Sequence, residues 1–178
     1  LAGMGFGNAG VHVPHANAYP IAGRVRAYRP PDYPQDEPLI PHGMAVALTA
    51  PAAFRTTHAA SPQRHERAAQ LLGGGQGADA LPHILRDIMT EVGIPSGLAE
   101  VGYTADDIPD LVAGTRAQQR LLALAPLVVS SGLAREALEN AVSDWTGHHA
   151  TIGGSPALDF WPEPTITLTY WERMTRGF

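Results

Sequence analysis

The sequence predicts a mainly α-helical protein, and three observations lead to this prediction. Apolar residues recur at steps of three and four in several segments, which is the period of an amphipathic helix. Glycine and proline are concentrated between those segments, where they end helices. Hydrophobic residues make up 44% of the 178 residues and charged residues 16%, which provides enough apolar material for a buried core. We expect one helical domain over residues 1–146 and a divergent tail over 147–178.

The first part of the chain is predicted to form two helical regions with a loop between them. Residues from about 4 to 20 are small and apolar, which favours a helix interrupted near Pro14. Closely spaced prolines between 24 and 40 exclude a regular helix there. The uncharged run 43–54 then predicts a buried helix that begins near His42.

The remaining helices are predicted from caps, breakers and periodicity. Ser61 precedes Pro62, a pair typical of an N-cap followed by proline in the first turn. Glycines between 73 and 77 are expected to end that helix. Thr104 and Asp107 have the spacing of a capping box, with Asp in place of Glu. The helices expected here cover about 62–72, 81–92, 106–112, 121–124 and 133–145.

The residues after about 146 have a different character. The segment 165–170 alternates polar and apolar residues as a strand does, and Trp161 and Trp171 lie in the same region. An isolated strand has no partner sheet in a helical domain and buries little surface. We therefore expect 147–178 to be irregular or to contain a short extended segment, and to be foreign to the helical domain.

Composition and charge exclude several classes of protein. The chain has no cysteine, which excludes disulfide scaffolds and cysteine nucleophiles. Its formal net charge is -5 and its arginines are scattered, so nucleic acid is not expected as a partner. It has no apolar run long enough for a transmembrane helix, so a membrane is not expected as a partner either.

Two histidine-bearing segments flank the proline-rich loop. His12 and His15 precede it, and His42 follows it between a proline and a glycine. Imidazole near a helix N-terminus is kept neutral by the helix dipole, and neutral imidazole can coordinate a divalent metal. A single histidine at a helix start is more often a cap or a packed polar group. The residues alone leave both interpretations open.

The sequence around these histidines resembles the iron-containing (group III) alcohol dehydrogenases. The resemblance is to their C-terminal helical domain, which has the dehydroquinate synthase-like fold, and is strongest for the hydroxyacid-oxoacid transhydrogenase branch. It fades near Pro126. The matching motifs lie at 5–12, 18–21, 32–33, 41–51, 101–103 and 106–109.

This resemblance implies a metal site. Family members bind one divalent metal, iron or zinc, with an aspartate and three histidines, and His15 and His42 match two of those histidines. Tyr19 stands where many relatives have a second histidine close to the nicotinamide, as it does in the transhydrogenase branch. His12 is expected to support the site from beside it. Asn17 and Ala16 depart from the Gly-Met that usually follows the first of these ligands.

The resemblance also implies that these 178 residues form part of a longer enzyme. The family's Asp-x-x-x-His motif and the domain that binds most of NAD(H) lie upstream of the matched region. We therefore expect the chain alone to be inactive. The implied reaction is hydride transfer between a 4-hydroxy acid such as 4-hydroxybutyrate and a 2-oxo acid such as 2-oxoglutarate. The implied location is cytoplasmic, or mitochondrial in a eukaryote, and homo-oligomerisation stays open. The alternative is a non-catalytic helical interaction module.

Several other patterns receive a structural interpretation. The G-x-G-x-x-G spacing at 5–10 follows no predicted strand, so we expect glycines that allow close helix packing instead of a phosphate site. A group of arginines near the loop could meet a substrate carboxylate, but a solvated surface is favoured. That group is Arg24, Arg26 and Arg29. A group of histidines among polar neighbours is expected to be exposed, namely His58, His65 and His83.

Overall fold

The computed structural model describes residues 1–148, and Leu1–Trp145 form one compact unit. Residues 147 and 148 are the end of the last helix, and the rest of the predicted tail lies outside the described residues. The described part is helical and contains no strand, which confirms the predicted fold class. The helices are α1 (Ala2–Ala9), α2 (Val13–Gly23), α3 (His42–Thr57), α4 (Pro62–Leu71), α5 (Ala80–Glu91), α6 (Ile108–Ala117), α7 (Gln119–Leu122) and α8 (Ser131–His148). Short 3-10 turns occupy His58–Ala60, Leu98–Val101 and Ala105–Asp107.

Local signals define most helix ends. The break between α1 and α2 falls at Gly10, whose φ of 74° stops α1, whereas Pro14 lies in the first turn of α2 where proline is tolerated. Gly73, with a φ of 89°, follows the end of α4 as predicted. The capping box is confirmed, since Thr104 and Asp107 satisfy each other's backbone groups.

Helix α2 lies at the centre of the fold. It packs against α3 on one side and against α6 on another, and α3 also packs against α5. Burying these faces builds one apolar core in which the largest side chains are almost completely removed from water. Those side chains are Ile21, Ile40, Leu48, Leu98, Ile108, Leu111 and Leu138.

The contact between α2 and α6 is unusually close. A Cβ atom at Gly114 would lie 2.6 Å from Cβ of Pro20, so only glycine fits there without a shift. Next to it, Thr115 donates a buried hydrogen bond of 3.0 Å to Oδ1 of Asn17. Further along, the hydroxyl of Tyr103 donates to the carbonyl of Ile21 at 2.5 Å. Polar contacts and close packing therefore both hold α2 against its neighbours.

The loop that follows α2 is fastened by the arginines considered above. Arg24 pairs with Asp110, and Arg26 pairs with Asp107 of the capping box. Arg29 donates to carbonyl groups within the loop itself. The predicted solvated surface agrees with the exposed side chains of Arg26 and Arg29, and two of the three arginines also tie the loop to the start of α6.

Helix α1 contacts the rest of the protein little. Every α1 side chain that the structure describes is exposed, including Met4 at 76% and Phe6 at 61%. A Cβ atom added at Gly3, Gly5 or Gly7 would have open space around it, with no atom of another described element within 4 Å. The expectation of close packing at the glycines of the 5–10 motif is therefore wrong for Gly5 and Gly7, whereas a Cβ atom at Gly10 would meet the side chain of Leu124.

The close approach at Gly114 predicts a sensitive position. Gly114→Ala should lower the free energy of unfolding by about 1–3 kcal/mol, because an overpacked interface must shift. The matched control is Gly132→Ala in α8, where the nearest described atom to an added Cβ is 3.8 Å away. There, alanine should raise stability by up to about 1 kcal/mol through helix propensity. Urea denaturation of both variants measures the difference, and equal effects would contradict the packing argument.

The capping box predicts a pH dependence. The backbone hydrogen bond from Thr104 and then the Arg26 side chain hold the pKa of Asp107 below its usual 3.8. A carboxyl with a depressed pKa stabilises the fold above its usual pKa, and this contribution is lost as the pH falls through the folded-state value. Asp107→Asn should therefore be less stable at neutral pH and lose less stability on acidification. The control is Asp106→Asn, at an exposed neighbour outside the box, which should follow the parent in acid denaturation monitored by circular dichroism.

Candidate metal centre

The packing of α2 against α3 brings two predicted ligands together. His15 lies in the first turn of α2 and His42 is the first residue of α3. Their ring centroids are 5.4 Å apart, with the ring planes at 60°. Two histidines that the resemblance implies bind the same metal therefore lie close together, while their role as metal ligands stays a prediction.

Tyr19 completes this group of rings. It follows His15 by one helical turn, so both side chains project from the same side of α2. Its ring centroid lies 5.7 Å from that of His42, and 48% of the residue is exposed. The aromatic ring is thus available to a flat molecule that reaches this surface.

The surroundings of His15 favour the neutral imidazole. Its pKa is lowered from the usual 6.5, first by burial and then by the neighbouring His42. A neutral ring has a free lone pair on one nitrogen, which is the form that coordinates a metal. The electrostatic surroundings of His15 therefore suit the binding of a cation.

His12 precedes α2 and lies between this pair and a second group of rings. Its ring packs edge-on against Phe54, with centroids 5.8 Å apart. Burial, then His65 and then His15 lower the pKa of His12. Its Nδ1 atom is buried and has no hydrogen-bond partner in the described part of the chain. The structure places His12 beside the pair without making it part of the contact.

The second group of rings is one that the sequence did not predict. His65 is only 8% exposed and its ring stacks edge-on with those of Phe54 and His58. Its Nε2 contacts the hydroxyl of Thr57 at 3.0 Å and its Nδ1 contacts the carbonyl of Ser61 at 2.8 Å.

The predicted exposure is therefore wrong for His65, and also for His58, which is half-buried. The reason is the tight turn between α3 and α4, which folds the first turn of α4 back onto the end of α3. The one available signal was the four-residue spacing of His65 and Ala69, which share the buried face of α4. His83 is exposed as predicted.

The imidazole nitrogens of His15 and His42 fit part of a metal site. Zinc and iron accept imidazole nitrogen, and structural or catalytic zinc usually has three or four protein ligands. Among the side chains that the structure describes, no group of three or more histidine, aspartate or glutamate residues is placed to hold a metal. His15 and His42 therefore fit as two of the ligands of a larger set.

A family model and several known proteins match this chain. The family model described as "Fe-containing alcohol dehydrogenase family, C-terminal" matches residues 1–141. The chain belongs to the iron-containing alcohol dehydrogenase family. The mitochondrial hydroxyacid-oxoacid transhydrogenase of Xenopus laevis is 49% identical over 133 residues, and its human counterpart 46%. These matches cover 71% of the chain but only 29% and 28% of the relatives, so the chain spans less than a third of their length.

Solved structures of the family share the fold. A 1,3-propanediol oxidoreductase and the alcohol dehydrogenase from Oenococcus oeni both superimpose with a TM-score of 0.65 at 22% identity. Each match covers 79% of the present chain and 35% of the solved one. The helical arrangement is therefore that of part of an iron-containing alcohol dehydrogenase.

The electrostatic coupling within the pair predicts a measurable change. His42→Ala should raise the pKa of His15 part of the way towards 6.5, because it removes the repulsion from His42 but leaves the larger effect of burial. Titration of the imidazole C–H resonances by NMR measures this shift. Tyr19→Phe is the control, since it keeps the ring and adds no charge, and it should leave the His15 midpoint unchanged. A His15 midpoint at 6.5 in the parent chain would contradict the assignment.

Proposed function

We propose that this chain is the metal-binding helical part of an oxidoreductase of the hydroxyacid-oxoacid transhydrogenase type. The observation that carries the proposal is the meeting of His15, His42 and Tyr19 at one surface formed by α2 and α3. The identity of 46–49% to transhydrogenases over 133 residues supports the choice of this branch within the family. The reaction is hydride transfer between a 4-hydroxy acid and a 2-oxo acid, with 4-hydroxybutyrate and 2-oxoglutarate as the representative pair.

His15 and His42 would hold a divalent metal, iron or zinc, through one ring nitrogen each. Such an ion supplies Lewis acidity that stabilises negative charge developing on the substrate oxygen. Burial keeps His15 neutral, and this removes the competition of a proton for the nitrogen that binds the cation. His15 would therefore act as a fixed, uncharged donor beside His42.

Tyr19 would lie against the nicotinamide of NAD(H). Its ring is half exposed and lies one helical turn from His15, so a nicotinamide packed on it would be close to the metal ligands. Stacking on an aromatic face needs no charge and excludes water from the reacting carbon. Most of the cofactor would be bound by residues outside this chain, as in the two-domain arrangement that the resemblance implies.

The loop arginines do not serve as carboxylate receptors in this proposal. Arg24 and Arg26 already pair with Asp110 and Asp107, and exchanging these partners for a substrate would release the loop from α6.

No helix in the described part of the chain is long and apolar enough to cross a membrane. The mitochondrial names of the relatives support a mitochondrial location if the source is a eukaryote.

The proposal is tested first by metal binding to the purified chain. Titration with Co²⁺ should give weak binding with an absorption band from nitrogen ligands. His15→Ala and His42→Ala should each weaken it at least about tenfold, because one imidazole of two is lost. His83→Ala is the control, since this exposed histidine lies outside the pair, and it should leave the affinity unchanged. Equal affinity in all variants would contradict the metal assignment.

Turnover provides the second part of the test. The chain alone, incubated with Zn²⁺ or Fe²⁺, NAD⁺ and 4-hydroxybutyrate, should show no hydride transfer, because two histidines do not complete the ligand set. A longer protein that contains this sequence together with an upstream Asp-x-x-x-His should be active, and His42→Ala should abolish that activity. An active longer protein that tolerates His42→Ala would overturn the proposal.

A further inference from the structure

The buried face of α2 has a polar residue at its centre. Consecutive residues of an α-helix are rotated by about 100°, so Asn17 projects on the side of α2 almost opposite to His15. The buried residues of α2 lie on both sides of Asn17 around the helix axis. These residues are Val13, Pro14, Ala16, Asn17, Ala18, Pro20 and Ile21. Within α2, which the structure describes completely, Asn17 is the single buried residue with a polar side chain.

The apolar residues of α2 define its rotation poorly. They span an arc of about 200° and are mostly small, whereas a surface helix usually buries a narrower stripe of larger side chains. An alanine-rich and proline-rich arc remains buried when the helix turns a little about its axis. Burial of this arc therefore holds α2 in the core, and the direction in which His15 projects depends on specific contacts with α6, among them the close approach of Pro20 to Gly114.

A buried hydrogen bond adds a directional constraint on the rotation of α2 about its axis. Thr115 of α6 donates to Oδ1 of Asn17 at 3.0 Å, and both residues are 0% exposed. The Nδ2 atom of the same amide is buried without a partner in the described part of the chain. Because its Nδ2 group lacks a partner there, the buried Asn17 amide contributes little to stability. The directional bond at its Oδ1 atom instead constrains the orientation of α2 relative to α6.

Small rotations of α2 matter at the opposite face. A side-chain atom about 6 Å from the helix axis moves about 2 Å when the helix turns by about 20°. Metal–ligand distances tolerate deviations of only about 0.2 Å. A helix whose rotation is loosely set would therefore present His15 and Tyr19 to His42 in the required geometry only part of the time.

We propose that Asn17 and Thr115 are positioning residues, whose buried hydrogen bond fixes the rotation of α2 and thereby directs His15 and Tyr19 towards His42. The functional meaning of this device rests on the metal site proposed above. Its geometric content concerns the contact between the rings of Tyr19 and His42, whose centroids are 5.7 Å apart, and is tested independently of any metal.

The test compares two substitutions at one position. Thr115→Val keeps the shape and removes the hydroxyl, whereas Thr115→Ser keeps the hydroxyl and should rescue the contact. Nuclear Overhauser effects between the rings of Tyr19 and His42 should weaken several-fold in Thr115→Val and persist in Thr115→Ser. Co²⁺ affinity should fall at least about tenfold in the valine variant and return in the serine variant.

Thr49→Val is the matched control. Thr49 is also a fully buried threonine, but its hydroxyl has no hydrogen-bond partner in the described part of the chain, so its removal should change neither readout. If Thr115→Val loses its helical circular dichroism, the comparison is made with Asn17→Leu, which keeps the number and branching of the side-chain heavy atoms and removes the amide.

The outcomes separate the two proposals. A folded Thr115→Val or Asn17→Leu that retains both the ring contacts and the Co²⁺ affinity overturns the positioning role. A Co²⁺ affinity that does not depend on His15 and His42 in the parent chain overturns the metal site. In that case the ring contacts still decide whether the hydrogen bond sets the rotation of α2.

Discussion

The placement of α2 between α3 and α6 is the constraint on which the rest of the structure depends. The side of α2 that packs against α6 is held by Gly114 and Thr115, and the other side carries His15 and Tyr19 to His42. The same helix therefore belongs to the core and to the candidate metal centre. Any change in its packing is transmitted to the imidazole pair, because a helix moves as a rigid element.

The start of α3 is fixed by a second, separate anchor. Ile40 is 1% exposed and lies two residues before His42, so its burial holds the end of the loop in the core where the helix begins. The two ion pairs that tie the loop to α6 are partly solvated, and pairs of this kind contribute little to stability. Their effect is geometric, since they limit the paths that the chain can take between α2 and His42.

Much of the helical framework could be predicted from the sequence because the signals are local. Pro62, Gly73 and the pair Thr104 and Asp107 determine helix ends through neighbouring atoms, and the structure agrees at each of them. The errors concern residues whose partners are distant or across a turn. His65 is buried by a fold-back that its own neighbours do not encode. The pairing of exposed Arg26 with Asp107, far along the chain, was not an error but was likewise not predictable.

For the candidate site, too, some features could be predicted from the sequence and others could not. From the residues alone, His15 and His42 could be either helix caps or metal ligands. The resemblance to a family favoured metal ligands. Their contact then follows from the packing of α2 against α3, which no periodicity predicts. Asn17 attracted notice only as a departure from the family pattern, because its partner Thr115 lies on another helix.

Because the two imidazoles come from different helices, the metal binding proposed for them would be coupled to the folding of this region. An ion can bind both nitrogens only while α2 and α3 are packed together, so the free energy of binding adds to the stability of that packing. At a metal concentration of about 100 times the dissociation constant, this addition amounts to about 2.7 kcal/mol. Conversely, interactions that hold α2 in place before the ion arrives reduce the cost of ordering the site. In the proposed metal centre, the tight contacts between α2 and α6 would thus contribute to affinity although none of them touches the imidazole pair.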